Sequence, residues 1–199
     1  AQGAVPRWTS LSWTPFTVRH APGAGEAANA VALAVHRARE ILARRIGISL
    51  PVRVLVVDGA DDGIRTLQPE STLWMPAEVG PGWSELGRML DDRLPHRSRL
   101  LLRRTMGRAA GPLELAPVAH TLAIDAYAAA LAESAGATFP RRWIANAFGA
   151  YARVVTLAEA DPDGLAAQAY LAETVGAALP PSYALADPDV RDVVERIEA

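Results

Sequence analysis

From Leu113 to its end the chain consists almost entirely of helix-forming residues, divided into blocks by glycine and proline. Alanine has the highest intrinsic helix propensity, and leucine follows closely. A half-chain of this kind folds as packed helices or not at all. The spacing predicts helices over 113–135 and 141–160, separated by a loop at Gly136–Pro140. A third opens at Asp161-Pro162-Asp163-Gly164, with Asp161 as N-cap and Pro162 at the first helical position. Asp187-Pro188-Asp189 repeats the arrangement before a last helix to Glu198.

The N-terminal half reads differently. Leu11 to His20 alternates loosely and carries Trp13, Phe16 and Val18, which predicts a strand, with Pro15 marking an edge or a bulge. Pro22 to Gly25 is a turn. Between Glu26 and Ile46, Val31, Val35, Ala38 and Leu42 recur at helical spacing, and Gly47 follows as a C-cap. Pro51 to Val57 is a β-branched run and the strongest strand. Asp58 to Arg65 is expected to be a loop, Thr72 to Met75 a short strand and Trp83 to Leu94 a helix. Arg99 to Arg103, three leucines between arginines, is expected to be a strand, and Gly107 to Pro112 a break. Strands first and helices last make the class α+β: a small N-terminal sheet with a long helix, then a mainly helical half. No repeat or linker divides the 199 residues, so one domain is expected, strand-rich over 11–112 and helical over 113–199.

Net charge is −2, which argues against a general nucleic-acid binder. The absence of cysteine excludes disulfides, thiolate metal sites and cysteine nucleophiles. The longest apolar stretch, Leu113 to Ala132, is broken by Glu114, His120 and Asp125, so no membrane span is expected. The opening Ala1-Gln2-Gly3-Ala4 is what cleavage after a small-residue signal site leaves, which points to export to a periplasm or beyond, the alternative being a cytoplasmic location.

The most informative stretch is Val118-Ala119-His120-Thr121-Leu122-Ala123-Ile124, followed by Phe139-Pro140-Arg141-Arg142-Trp143-Ile144-Ala145-Asn146-Ala147-Phe148-Gly149-Ala150-Tyr151. It resembles the paired helices of gluzincin zinc metallopeptidases, especially their small peptidase MA-like domains. Those carry HExxH on one helix and a P-x-W-L-x-E-G-x-A-E-Y pattern opening the next. Pro140, Trp143, Ala145, Ala150 and Tyr151 match the second pattern. The strand–helix–strand order of residues 11–57 also agrees with the unit that precedes the zinc helix in that family.

The chemistry of such a site needs two histidines four apart on one helical face, a glutamate as general base and a third ligand from the second helix. The resemblance places His120 at the first ligand, Thr121 at the base, Ile124 at the second ligand and Asn146 at the third. Threonine cannot take a proton near neutral pH, and isoleucine cannot bind a metal. Neutral Asn146 is a poor zinc ligand. Asp125 lies off the face shared by positions four apart. No zinc or other cofactor is therefore expected. Ile124 is expected to fill the core between the helices, with His120 facing Asn146, and Trp143 and Tyr151 would line the remaining cleft.

The other candidates read as structure. Ser134, Asp125 and His120 share one helix at offsets that cannot converge as a triad. Asp161-x-Asp163-Gly164 is explained by helix capping better than by a calcium loop. Arg97, Arg99, Arg103, Arg104 and Arg108 form a basic group, three of them on one face if the segment is a strand. The resemblance implies a catalytically inactive metallopeptidase-like domain that binds a peptide or protein ligand or serves as a scaffold. The alternatives are a hydrolase with an unrecognised site and an interaction module of a larger assembly.

Overall fold

A computed structural model describes residues 8–61, 65–68, 71–106, 113–115, 119–136 and 138–178. The class is α+β. Strands β1 (Thr9–Trp13) and β2 (Phe16–His20) form an antiparallel hairpin. The segment expected as one strand is thus two. Pro15 lacks the N–H that a continuing ladder needs, so the chain turns at Thr14-Pro15 and pairs Trp13 with Phe16. Helix α1 (Gly25–Ile46) then crosses to β3 (Val54–Val57), which pairs parallel with β2. Gly47 ends α1 at φ 75°, with its N–H on the Ala43 carbonyl at 3.0 Å, as a left-handed C-cap should.

A short strand, β4 (Ala60–Asp61), lies inside the Asp58–Arg65 stretch expected to be a loop, and another, β5 (Arg65–Gln68), begins at its last residue. They lack the β-branched runs that betray a strand in sequence and are held by their partners instead. The expected strand β6 (Thr72–Met75) is present, and β7 (Glu78–Val79) pairs with β4. The main sheet runs β1-β2-β3-β6-β5, with parallel pairs at its centre and antiparallel pairs at both edges.

One sheet face carries Phe16, Val18, Leu55, Val57, Leu73 and Met75, all buried together with Val31, Val35, Ala38 and Leu42 of α1. Onto this layer pack α4 (Ala119–Gly136) and α5 (Arg142–Ala160). The helix expected from Leu113 does not reach back that far: Leu113–Leu115 is non-helical, and the described helix runs from Ala119. Pro117 in the sequence accounts for this, since proline is not tolerated in a helix interior. Tyr127 of α4 is fully buried and accepts the Leu50 N–H at 3.1 Å, which ties α4 to the chain entering β3. Burial pushes the Tyr127 phenol above its ordinary range, with the Leu50 hydrogen bond opposing.

That phenol carries a prediction. Tyr127→Phe should cost about 1–3 kcal/mol, because it leaves a buried backbone donor without an acceptor. Its raised pKa also means that stability is fully present below the unfolded value near pH 10 and is lost as pH rises through the folded value. Urea midpoints measured across the alkaline range should fall for the parent and fall less steeply for Tyr127→Phe. Parallel slopes would remove this tyrosine as the alkaline-sensitive group.

A second, smaller core joins α2 (Pro81–Asp91), α3 (His96–Thr105) and α6 (Pro162–Ala178) through Leu90, Leu94, Leu102, Leu113, Leu115 and Leu171. At Gly87 the Leu113 carbonyl lies 2.1 Å from where a Cβ would stand, so only glycine admits that crossing. Helix α3 corrects the strand expected at Arg99–Arg103. Four residues apart on a helix, Arg99 and Arg103 reach the same carboxylate, Asp91, at 3.6 Å each. Of the three leucines only Leu102 is buried, whereas strand alternation would have sent Leu100 and Leu102 to the same face. The expected helix near Trp83 is α2, and that near Arg141 is α5. The break at 107–112 and the helix from Asp187 lie outside the described residues. No described helix is long and apolar enough to cross a membrane.

Candidate functional site

Helices α4 and α5 are antiparallel and close because small residues meet at their interface. A Cβ built on Gly149 would stand 3.3 Å from the Ala132 Cβ, and one on Gly136 would stand 3.4 Å from that of Ala145. These two pairings set the register. The C-terminal end of α4 lies against the start of α5, and the start of α4 lies against Asp161 beyond the end of α5.

Two polar groups are built into this pair. In the middle, Asp125 is 5% exposed, and the Arg153 guanidinium grips both its oxygens, Nε to Oδ1 at 2.6 Å and Nη2 to Oδ2 at 2.8 Å. The hydrogen bond to Asp125 pushes the Arg153 pKa further up, with burial opposing. A bidentate pair of this kind fixes geometry as well as charge. Asp125 thus faces α5, not the His120 face, in line with its five-residue offset.

At the other end, three elements meet on Asp161. Its Oδ1 accepts the Gly164 N–H at 3.0 Å, the N-cap bond expected from the sequence. Its Oδ2 accepts the buried Thr121 hydroxyl and lies 3.2 Å from His120 Nε2. Gly164 is glycine for a steric reason, since an added Cβ would lie 2.1 Å from Asp161 Oδ2. Hydroxyl, carboxylate and imidazole are therefore together, but not in catalytic order. A nucleophilic triad places the imidazole between hydroxyl and carboxylate. Here the carboxylate stands between the other two, and Thr121 is only 1% exposed.

The positions mapped from the zinc-helix pattern do not form one cluster. Ile124 is 2% exposed in the main core. Asn146 is exposed, one residue past the Ala145 that meets Gly136. His120 and Gly136 bracket α4, about 20 Å apart or more at 1.5 Å of rise per residue. The expected meeting of His120 and Asn146 does not occur, and no single ion can span them. His120 and Asp161 supply two donors. Among the described residues no group of three or more His, Asp or Glu is placed to hold a metal. These residues therefore do not fit a zinc centre of the three-ligand kind.

Two of the three remaining histidines have partners elsewhere. His20 is buried with Nδ1 2.8 Å from the Ala21 carbonyl, and His36 Nε2 lies 3.4 Å from Glu40 on α1. The arginine group is held in part by Asp91. Sequence reasoning missed Arg153 and cast Asp161 only as a cap. A signal for Arg153 existed, because an aspartate inside an alanine-rich core helix needs a cation, and α5 carries one within reach.

The outward face of α5 is unusual in another way. Trp143 (49% exposed), Tyr151 (55%) and Val154 (53%) lie on it with exposed Ala147, Ala150 and Ala158. A solvated helix normally turns charge outward. This strip carries none, and Asn146 and the Asp125-bound Arg153 border it. Comparison with protein-family models finds no match, and comparisons with curated proteins and with solved structures find none that is significant.

Proposed function

We propose that the chain is a catalytically inactive, metallopeptidase-like domain that works as a binding or scaffold protein, with the outer face of α5 as its docking surface. The observation that carries this reading is the uncharged apolar strip Trp143–Ala147–Ala150–Tyr151–Val154–Ala158. Half-exposed Trp143 and Tyr151 contribute about 100 Å² each. With valine and alanines added, the strip falls in the few-hundred-Å² range in which exposed apolar patches mark interaction sites. The aromatic anchors are of the type that dominates binding energy at interfaces.

Support for the inactive part comes from how the polar side chains of α4 and α5 are used. Asp125, Arg153, Thr121 and Asp161 satisfy one another inside the helix pair, and Thr121 is closed to substrate. The metallopeptidase likeness rests on layout: a strand–helix–strand unit ahead of two adjacent helices. It does not rest on the mapped ligand positions, which the fold separates.

The surface is testable with a panel of fluorescent amphipathic helical peptides, read by anisotropy at submicromolar protein. Peptides that bind should weaken by about tenfold or more on Trp143→Ala, as hot-spot truncations do. Binders indifferent to Trp143→Ala, or a panel without binders from a chain that also stays monomeric at every concentration, would refute the docking surface.

A further inference from the structure

The pattern of large and small residues on the α5 strip identifies one occupant. Trp143, Ala147, Ala150 and Val154 follow a four-three-four spacing, the seam of a helix that packs against another helix. Laid antiparallel on itself about an axis between Ala150 and Tyr151, the strip is complementary to its own copy. Trp143 then falls on Ala158, Val154 on Ala147 and Tyr151 on Ala150. Each bulky side chain meets an alanine, and each alanine meets a bulky side chain. An isologous interface demands this self-complementarity, because the same patch must serve on both subunits.

We infer that the outer face of α5 is a two-fold homodimer interface, formed with α5 of a second copy of this chain. The inference rests on the docking surface proposed above. The charge pattern agrees. The strip holds no ionised group, so two copies meet there without facing like charges, and a net charge of −2 opposes association little. The area sets the strength. A few hundred Å² per partner lies below the standard 800 Å² or so per side, so the dimer is weak, with dissociation at about micromolar or above. Alanines at the seam let the two backbones approach closely.

The absence of cysteine makes a clean test possible. Sedimentation equilibrium of the full chain from about 1 to 500 µM should show the parent moving from monomer toward dimer. Tyr151→Asp and Val154→Asp, both at exposed positions, should stay monomeric throughout while keeping the parent's circular dichroism. Ala150→Cys, next to the two-fold axis, should cross-link to its own copy with a short bis-maleimide at least about tenfold faster than Leu33→Cys, exposed on α1. A parent that is monomeric at every concentration overturns the inference. So does a dimer that survives both aspartates, or equal cross-linking at the two cysteines. A monomeric parent that still binds helical peptides through Trp143 refutes the homodimer and leaves the docking surface standing. Loss of peptide binding with a dimer that depends on Tyr151 and Val154 confines the surface to self-association and upholds the inference.

Discussion

Arg153→Ala is expected to destabilise the fold by about 3–5 kcal/mol, a large cost for truncating a half-exposed residue. The cost does not arise at Arg153 itself, whose side chain is 47% exposed. It arises at Asp125, a carboxylate inside the helix pair that would lose the Arg153 guanidinium and the two hydrogen bonds it donates. Removing one partner of a buried pair leaves a charge in a medium that solvates it poorly, and the group must then stay charged at a cost or take up a proton. The reverse truncation is milder, because Arg153 can turn to water. The sharper expectation concerns the pair. Asp125→Leu combined with Arg153→Ala should recover most of the loss, since neither charge remains. Urea unfolding of the two single variants and the double would supply the coupling energy. A double variant no more stable than Arg153→Ala would show that the pair is not what the arginine serves.

Asp161→Ala should cost roughly 2–4 kcal/mol, the sum of two separate losses. Without the carboxylate, α6 loses its N-cap bond to the Gly164 N–H, worth about 1 kcal/mol. The buried Thr121 hydroxyl also loses its acceptor, at about 1–3 kcal/mol. His120 is half-exposed and can turn to water, so its share is small. Two controls separate the terms. Asp161→Asn keeps a side-chain oxygen for the cap and should retain most of the stability. Asp161→Ala in a Thr121→Val background should cost only the cap. A cost near zero for Asp161→Ala would mean that the corner joining α4, α5 and α6 is solvated.

Where the sequence foretold the structure, a local physical rule was unopposed. Gly47 ends α1 because a left-handed residue was needed and only glycine supplies it cheaply. Asp161-Pro162 opens α6 because both residues prefer those positions. Val54–Val57 is a strand buried between two parallel neighbours, where a β-branched run belongs.

The misreadings occurred where tertiary contacts overrode local pattern. Arg99 to Arg103 has no period that separates helix from strand over so few residues, and the shared carboxylate of Asp91, seen only in the fold, accompanies the helix. Strands β4 and β5 exist because β7 and β6 pair with them. The site was harder still. Matching His120 and Asn146 to a motif used spacing along the chain, but facing between two antiparallel helices depends on where the second begins. With α4 ending at Gly136 and α5 beginning at Arg142, Asn146 falls opposite the last turn of α4 and not the first. The Asp125–Arg153 grip needed that same register to be seen.

The most direct test of an inactive binding domain is the metal content and hydrolytic activity of the purified full chain. Elemental analysis after dialysis should find no stoichiometric zinc, and casein or a peptide library should be left uncleaved with or without added zinc. Trp143→Ala and His120→Ala should leave that result unchanged. About one zinc per chain retained through dialysis, with peptide cleavage abolished both by a chelator and by His120→Ala, would contradict the account.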